Sequence, residues 1–479
     1  MNVIFMKGAS LLLPKRPSNM LAFLTASHAL LYKPSRRPPA VPLTTAPRSV
    51  PKMQTTKATP KRTLSTHPKI KPDGTIHHLK ANITPSPQPS HPQATTHPPP
   101  PFEPPLDKHG KVMLKDMTLP EMERWVEEIL GQKRFRARQL WQWLYKPERL
   151  AISFDEMSDL SKSFRLLLKE HARITVLGLN SIHQSKDGTR KLTFRLDAGG
   201  VIETVLIPAE GRTTLCVSSQ WGCALNCQFC LTGRTGFKRS LTTGEIVEQL
   251  VHSMRLFGDQ SQITNVVFMG EGEPAHNLDN VLRAVDAMTH EQGLQMSPRK
   301  VTVSTSGLIP EIRRFAEESK ANLAVSLHAT NDELRSWLMP INRKYGLQPL
   351  MQTLREVFPR RRGQQRKVMF QYVMLKDVND SLEDAKQLLR LTAGVPCKIN
   401  LIQFNWHEGS EFEGSSEETM ESFQRYLSGK GMTVTIRRSR GDDEMMACGQ
   451  LGTLGALQPP RMKVPPRYAQ AVSRTGSTA

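Results

Sequence analysis

From residue 214 onward the chain alternates between short apolar runs of strand character and longer amphipathic stretches of helical period. This alternation restricts the fold more than any other feature of the sequence. The strand-like runs are 214–220, 265–269, 301–305, 323–328, 368–375, 399–404 and 433–437; the helical stretches between and after them are 244–256, 278–291, 310–317, 347–357, 382–391 and 419–427. Successive strands joined by helices must run parallel, because a helix is needed to carry the chain back to the same end of a sheet. Strands so apolar must also be covered by those helices. The class is therefore α/β. Several runs end in polar residues, such as Ser304-Thr305-Ser306 and Ser326-Leu327-His328. Active sites of such folds gather at the carboxyl ends of the strands, so polar residues are expected there.

Upstream the pattern differs. Thr118-Leu119-Pro120-Glu121 has the spacing of a capping box with proline in the first turn, which predicts a helix with Met122, Trp125, Val126 and Ile129 on its apolar face. Further helices are expected from Arg136 and over 161–171, giving a small helical domain over 116–175. Its basic residues Lys133, Arg134, Arg136 and Arg138 surround Phe135, and read equally as a solvated face or as an RNA contact. At Leu192, Phe194 and Leu196 the period becomes two, and a turn at Ala198-Gly199-Gly200 predicts a β-hairpin linker over 176–210. The α/β core is expected over 211–451, and a disordered Pro-rich basic tail over 452–479.

Composition matters most at the amino end. Residues 1–100 hold 14 Lys and Arg against the single acid Asp73, and 18 of the 35 prolines. Such a segment buries too little apolar area to offset its chain entropy, so 1–115 is expected to be a disordered leader. Acid-poor, Arg/Ser/Thr-rich leaders read as mitochondrial or plastid transit peptides, with a basic RNA-binding arm as the alternative. No apolar run reaches membrane-spanning length, so no membrane association is expected.

The six cysteines are Cys216, Cys223, Cys227, Cys230, Cys397 and Cys448. Cys223, Cys227 and Cys230 form a Cys-x-x-x-Cys-x-x-Cys run just after a predicted strand. Three thiolates on one short loop can hold three irons of a cubane cluster and leave the fourth open. The spacing alone also admits zinc, with Cys216 as a fourth ligand, or cysteines that merely fill the core.

The run is the signature of the radical S-adenosylmethionine enzymes, and the resemblance extends beyond it. Glu203-Thr204-Val205, Leu215-Cys216-Val217-Ser218-Ser219-Gln220, Met269-Gly-Glu-Gly-Glu-Pro274, Val303-Ser304-Thr305-Ser306-Gly307, Ser326-Leu327-His328, Met339-Pro-Ile-Asn342, Lys398-Ile-Asn-Leu-Ile402 and Ala447-Cys-Gly-Gln-Leu451 follow in order. Together they resemble the RlmN family over residues 116–453. The resemblance implies a partial (β/α)6 TIM-type radical SAM barrel, a 4Fe-4S cluster on Cys223, Cys227 and Cys230, and S-adenosylmethionine as methyl donor and radical source. It implies methylation of adenosine C2 in 23S-type rRNA and in some tRNAs, with an electron donor such as a flavodoxin or ferredoxin. By the same resemblance Cys448 accepts the methyl group, Cys216 later attacks the Cys448 sulfur through a transient disulfide, and Glu203 accepts the proton. Gly272, Glu273, Ser304, Ser326, Leu327, His328 and Asn405 are implied as cofactor-binding residues, with Met269 nearby. Glu271 departs from the family wording, where many relatives carry methionine. The sister group that methylates C8 of the same adenosine, and a non-catalytic RNA-binding protein, are the competing readings. Basic clusters at Arg299-Lys300, Arg343-Lys344, residues 360–362, Arg366-Lys367, Arg437-Arg438 and Arg440 are candidate backbone contacts for RNA.

Overall fold

The structure, a computed structural model, describes residues 102–258, 262–360, 366–452 and 457–473. The leader expected over 1–115 therefore lies outside the described residues as far as position 101. Order is present by Phe102, earlier than expected: the Arg124 guanidinium lies over the Phe102 ring, and Val112–Met113 pairs in parallel with Ala172–Arg173.

Ten strands form one sheet in strict chain order: β1 Leu177–Gln184, β2 Arg190–Leu196, β3 Val201–Ala209, β4 Arg212–Val217, β5 Asn265–Phe268, β6 Val301–Thr305, β7 Asn322–Ser326, β8 Val368–Met374, β9 Cys397–Gln403 and β10 Val434–Arg437. The pairs from β1 to β4 are antiparallel, and those from β4 to β10 are parallel. The expected two-stranded hairpin linker is thus a three-stranded meander continuous with the barrel sheet. Strand β1 escapes periodicity because it is an edge strand whose side chains are mostly exposed, so it lacks an apolar alternation.

Helices cross between the parallel strands. With three helices of the amino-terminal segment, α1 Leu119–Arg124, α2 Phe135–Tyr145 and α3 Lys162–His171, they are α4 Thr243–Phe257, α5 Leu278–Thr289, α6 Ile309–Glu318, α7 Asp332–Leu338, α8 Leu347–Val357, α9 Leu382–Leu391 and α10 Glu417–Gly429. Reciprocal capping boxes start α1 at Thr118–Glu121 and α4 at Thr242–Glu245. A π-helical turn, Trp125–Ile129, follows α1. The amino-terminal helices dock on α4 through a buried ion pair, Lys115 Nζ to Glu248 at 2.9 Å, while the Asp116 carboxylate accepts the Gly244 amide at 2.6 Å. Among the described residues no helix is long and apolar enough to cross a membrane.

The carboxyl-terminal residues 457–473 pack against the protein, contrary to the expected disordered tail. Composition misleads here because Met462, Val464, Tyr468 and Val472, spread along the segment, meet in one apolar cluster. Arg366, offered as an RNA contact, instead donates to the carbonyls of Ala316 and Ala321 and covers Phe358.

Candidate active site

The loop after β4 carries the three cysteines. Gly222 takes a positive φ of 70° just before Cys223, and a Cβ there would come within 1.9 Å of the Gly236 carbonyl oxygen. Asn226, between Cys223 and Cys227, is also left-handed at φ 52°. Cys230 caps a short helix, Leu231–Thr235. All three thiols line one cavity. Burial pushes Cys223 up to about 12 and raises Cys227 and Cys230, and for Cys227 the two neighbouring thiols add to it. Unmetallated, these groups stay protonated; iron binding is what would draw the protons off.

The donor set fits a cluster better than a single ion. Zinc needs all its ligands within about 2.3 Å of one point. A closed zinc site would also need a fourth ligand, and Cys216 lines a separate pocket, whereas three thiols around one cavity suit a cubane core with one open iron.

The opposite walls come from the strand ends. Gly272, Glu273, Ser304, Ser326, His328 and Asn405 all line the same cavity, together with Met269. Gly272 has φ 98°, and a Cβ would meet Gln220 Cβ at 2.5 Å, so only glycine passes there. Glu273 is buried, which raises its carboxyl; its oxygens accept the Ala275 and Ser306 amides at 3.0 and 2.8 Å. His328 sits at φ 57°, and its Nδ1 accepts the Val373 amide at 2.9 Å. Its proton is therefore on Nε2. Burial, with the nearby Arg335 charge, lowers it to about 3, so the ring is a neutral donor. Leu327 does not line the cavity: it is fully buried in the core, and its amide and carbonyl bond Gln371 and Arg335.

A second, smaller pocket adjoins the first. It is lined by Cys216, Arg437, Val205 and Met446 and shares Met269, Gln403, Asn405 and Cys448 with the larger one. Cys448 thus stands in the wall between the three-cysteine chamber and Cys216. Its loop is fixed from three sides: Asn405 Nδ2 donates to the Cys448 carbonyl at 3.0 Å, the Leu231 amide to Gly449 O at 2.8 Å, and Thr232 Oγ1 to Leu451 O at 2.5 Å. All six cysteines are free thiols. Burial, then the proximity of Cys448, pushes Cys216 up to about 12.

Glu203 lies on β3, two residues before Val205, which pairs with Cys216. Its carboxylate does not line either pocket. It is held by Lys191 Nζ at 3.2 Å and by the Gly452 amide at 2.9 Å, so it is tied to the Cys448 segment just beyond the loop.

Four residues of the site were not legible as such. Arg437, taken from sequence for an RNA contact, faces the smaller pocket, where the neighbouring Cys448 raises its guanidinium against the opposing effect of burial, with Cys216 adding to it. Gln371 lies inward on β8 and bridges Ser304 Oγ to Met269 Sδ. Arg335 is fully buried and binds the carbonyls of Ser306, Ser326 and Leu327, tying the ends of β6 and β7 together. Glu271 accepts the Glu203 amide at 3.0 Å and the Gly222 amide at 3.2 Å, linking the Glu203 strand to the cysteine loop. No local pattern gives any of them its role: Arg437, Gln371 and Arg335 are ordinary polar residues in strand or helix, and Glu271 stood out only as a departure from the family wording.

Comparisons with known proteins agree with this arrangement. Residues 112–174 match the ribosomal RNA large subunit methyltransferase N-terminal domain, and residues 217–390 match the radical SAM superfamily. The chain is 51% identical over 347 residues to the dual-specificity RNA methyltransferase RlmN of Geobacter sulfurreducens, covering 72% of this chain and 94% of that protein. Its counterpart from Syntrophobacter fumaroxidans is 48% identical over 342 residues, covering 71% and 98%. The crystal structure of a radical SAM methyltransferase from Sphaerobacter thermophilus superposes with a TM-score of 0.67 at 42% identity, over 71% of this chain and 98% of that one.

Proposed function

The chain belongs to the RlmN family of radical SAM RNA methyltransferases, and from that premise we propose that it methylates C2 of adenosine in large-subunit rRNA, and in tRNA, through Cys448. It is an S-adenosylmethionine-dependent RNA methyltransferase with a 4Fe-4S cluster. The observation that carries the finer reading is the place of Cys448 in the wall common to two pockets, one lined by the three-cysteine loop and the other by Cys216.

Cys223, Cys227 and Cys230 hold the cluster, and Gly272, Glu273, Ser304, Ser326, His328 and Asn405 hold S-adenosylmethionine. When bound, these groups together supply a carbon radical and a methyl group. A radical route is needed because C2 of adenine is an electron-poor ring carbon with no lone pair to attack an ordinary methyl donor. The chain's own part follows from its geometry. Cys448, which lines the smaller pocket together with Arg437, loses its proton and accepts the methyl group as a thioether. After the S-methyl carbon joins C2, Cys216 loses its proton and attacks the Cys448 sulfur from the smaller pocket; a disulfide forms, the bond from that sulfur to the RNA-borne carbon breaks, and the carbon keeps the electron pair and takes up a proton as methyl, freeing the RNA. Glu203, held by Lys191 and the Gly452 amide beside the Cys448 segment, accepts the C2 proton. A flavodoxin- or ferredoxin-type donor feeds the cluster. RNA approaches across the helical segment, where Phe135 is half exposed beside Lys133 and Arg136; Arg134 and Arg138 are occupied by Glu123. The basic, acid-poor leader supports delivery to an organelle.

The test is the full chain, reconstituted anaerobically with iron and sulfide and given S-adenosylmethionine, a reductant and RNA from a methylation-deficient host. Mass spectrometry should find 2-methyladenosine. Appearance of 8-methyladenosine instead would place the chain with the C8 enzymes and refute the C2 assignment.

A further inference from the structure

The carboxyl-terminal segment packs on the outer side of the cysteine loop, and its contacts converge on residues inside the metal-binding run. Asn226, between Cys223 and Cys227, is 1% exposed. Its Nδ2 donates to the Pro459 carbonyl at 3.3 Å, and its Oδ1 accepts the Arg461 amide at 3.1 Å and Gln228 Nε2 at 2.9 Å. Arg234, four residues after Cys230, forms a reciprocal pair with Gln458: the Gln458 amide donates to Arg234 O and Arg234 Nε donates to Gln458 O, each at 2.7 Å. Further along, Tyr468 stacks on Trp337 at 5.4 Å and 19°, and Arg467 pairs with Glu333 at 2.8 Å. Val472 is buried in the same apolar cluster as Cys223, Leu225 and Cys227.

We propose that residues 457–473 are a working part of the iron–sulfur site, with the Asn226 amide as clasp, holding the cysteine loop in its ligating shape and closing its outer side to solvent and dioxygen. Two physical arguments support this. A non-glycine residue at positive φ is held there by its surroundings, and two of the three bonds of the Asn226 amide go to this segment. Solvent exposure is also one of the determinants of cluster chemistry, so a segment seated over the ligand loop bears on cluster lifetime directly. The inference rests on the cluster reading of the three cysteines but is independent of the RNA substrate.

The experiment compares the full chain with Asn226→Gly, Tyr468→Ala and a chain ending at Gly452, each reconstituted anaerobically without RNA. Glycine accepts the same backbone angle, so Asn226→Gly removes the clasp without adding strain. Iron and sulfide content are measured first, then the decay of the visible cluster absorbance in air. Losing the two hydrogen bonds to the segment, along with that from Gln228, should make local opening at least roughly tenfold more frequent, so Asn226→Gly should bleach at least roughly tenfold faster. The shortened chain should bleach at least as fast, and Tyr468→Ala should fall between. Bleaching of Asn226→Gly and Tyr468→Ala at the full-chain rate would overturn the proposal, whatever the shortened chain does. If the full chain takes up no iron, the cluster reading fails and this inference falls with it.

Discussion

The Lys115–Glu248 pair joins the amino-terminal helices to the barrel, and its replacement has a calculable consequence. Both side chains are almost wholly buried, with N to O at 2.9 Å. At an effective dielectric of about 20, the attraction is about 6 kcal/mol before desolvation is counted. Removing one member of a buried pair typically costs about 3–5 kcal/mol, because the other charge is left behind. Here the low end applies. Glu248 keeps the Val176 and Leu177 amides at 2.9 and 2.8 Å, and His252 Nε2 lies 3.7 Å away. Lys115→Met should therefore destabilise the protein by about 3 kcal/mol. Urea unfolding can be followed by tryptophan fluorescence, since Trp125 and Trp141 are buried among these helices. Adding Glu248→Gln removes the stranded charge and should recover about half of the loss. The pH dependence gives an independent check. Burial alone would raise Glu248, but the Lys115 charge and His252 hold it below its ordinary 4.5. Its contribution is therefore present above the unfolded carboxylate value and is lost as pH falls through the lower folded value. Lys115→Met should flatten that acid limb. A loss below about 1 kcal/mol in the single variant, or a double variant no better than the single, would refute the reasoning.

Further outcomes are expected at the site. Cys448→Ala should still take up iron and cleave S-adenosylmethionine but release no methylated RNA, read by mass spectrometry of both products. Cys216→Ala should carry the methyl-derived carbon to RNA yet fail to let go, giving a protein–RNA adduct on a denaturing gel; free methylated RNA at the wild-type rate would refute the resolving role. Burial, then the Glu203 charge, pushes Glu271 up to about 8. Between the unfolded value of 4.5 and about 8 the folded state holds a proton that the unfolded state does not, so this group's contribution to stability falls as pH rises. The difference in Tm between Glu271→Gln and wild type should move in the variant's favour from pH 5 to pH 8, by about 1–3 kcal/mol in stability. A constant difference would show that Glu271 does not titrate there.

Local spacing sets the elements and the three-cysteine loop. Strand and helix periods depend on residues two to four positions apart, so α8 and α9 lie where the pattern places them, and the Thr118 and Thr242 caps need only a side chain three residues on. The three cysteines are likewise local, held on one short loop. Short α7 and exposed β1 gave no comparable signal, because neither repeats an apolar face long enough to be read. The meeting of Cys216 with Cys448 was decided only by tertiary structure. Their elements, β4 and the loop after β10, converge because each parallel strand delivers its carboxyl end to the same rim. Arg437, Gln371, Arg335 and Glu271 acquire their roles in the same way, from the neighbours that the crossovers bring beside them. The carboxyl-terminal segment is the clearest case. Its proline-rich, basic composition reads as unstructured, and only the Asn226 amide and an apolar surface beside the cysteine loop give its backbone partners and its apolar side chains somewhere to be buried.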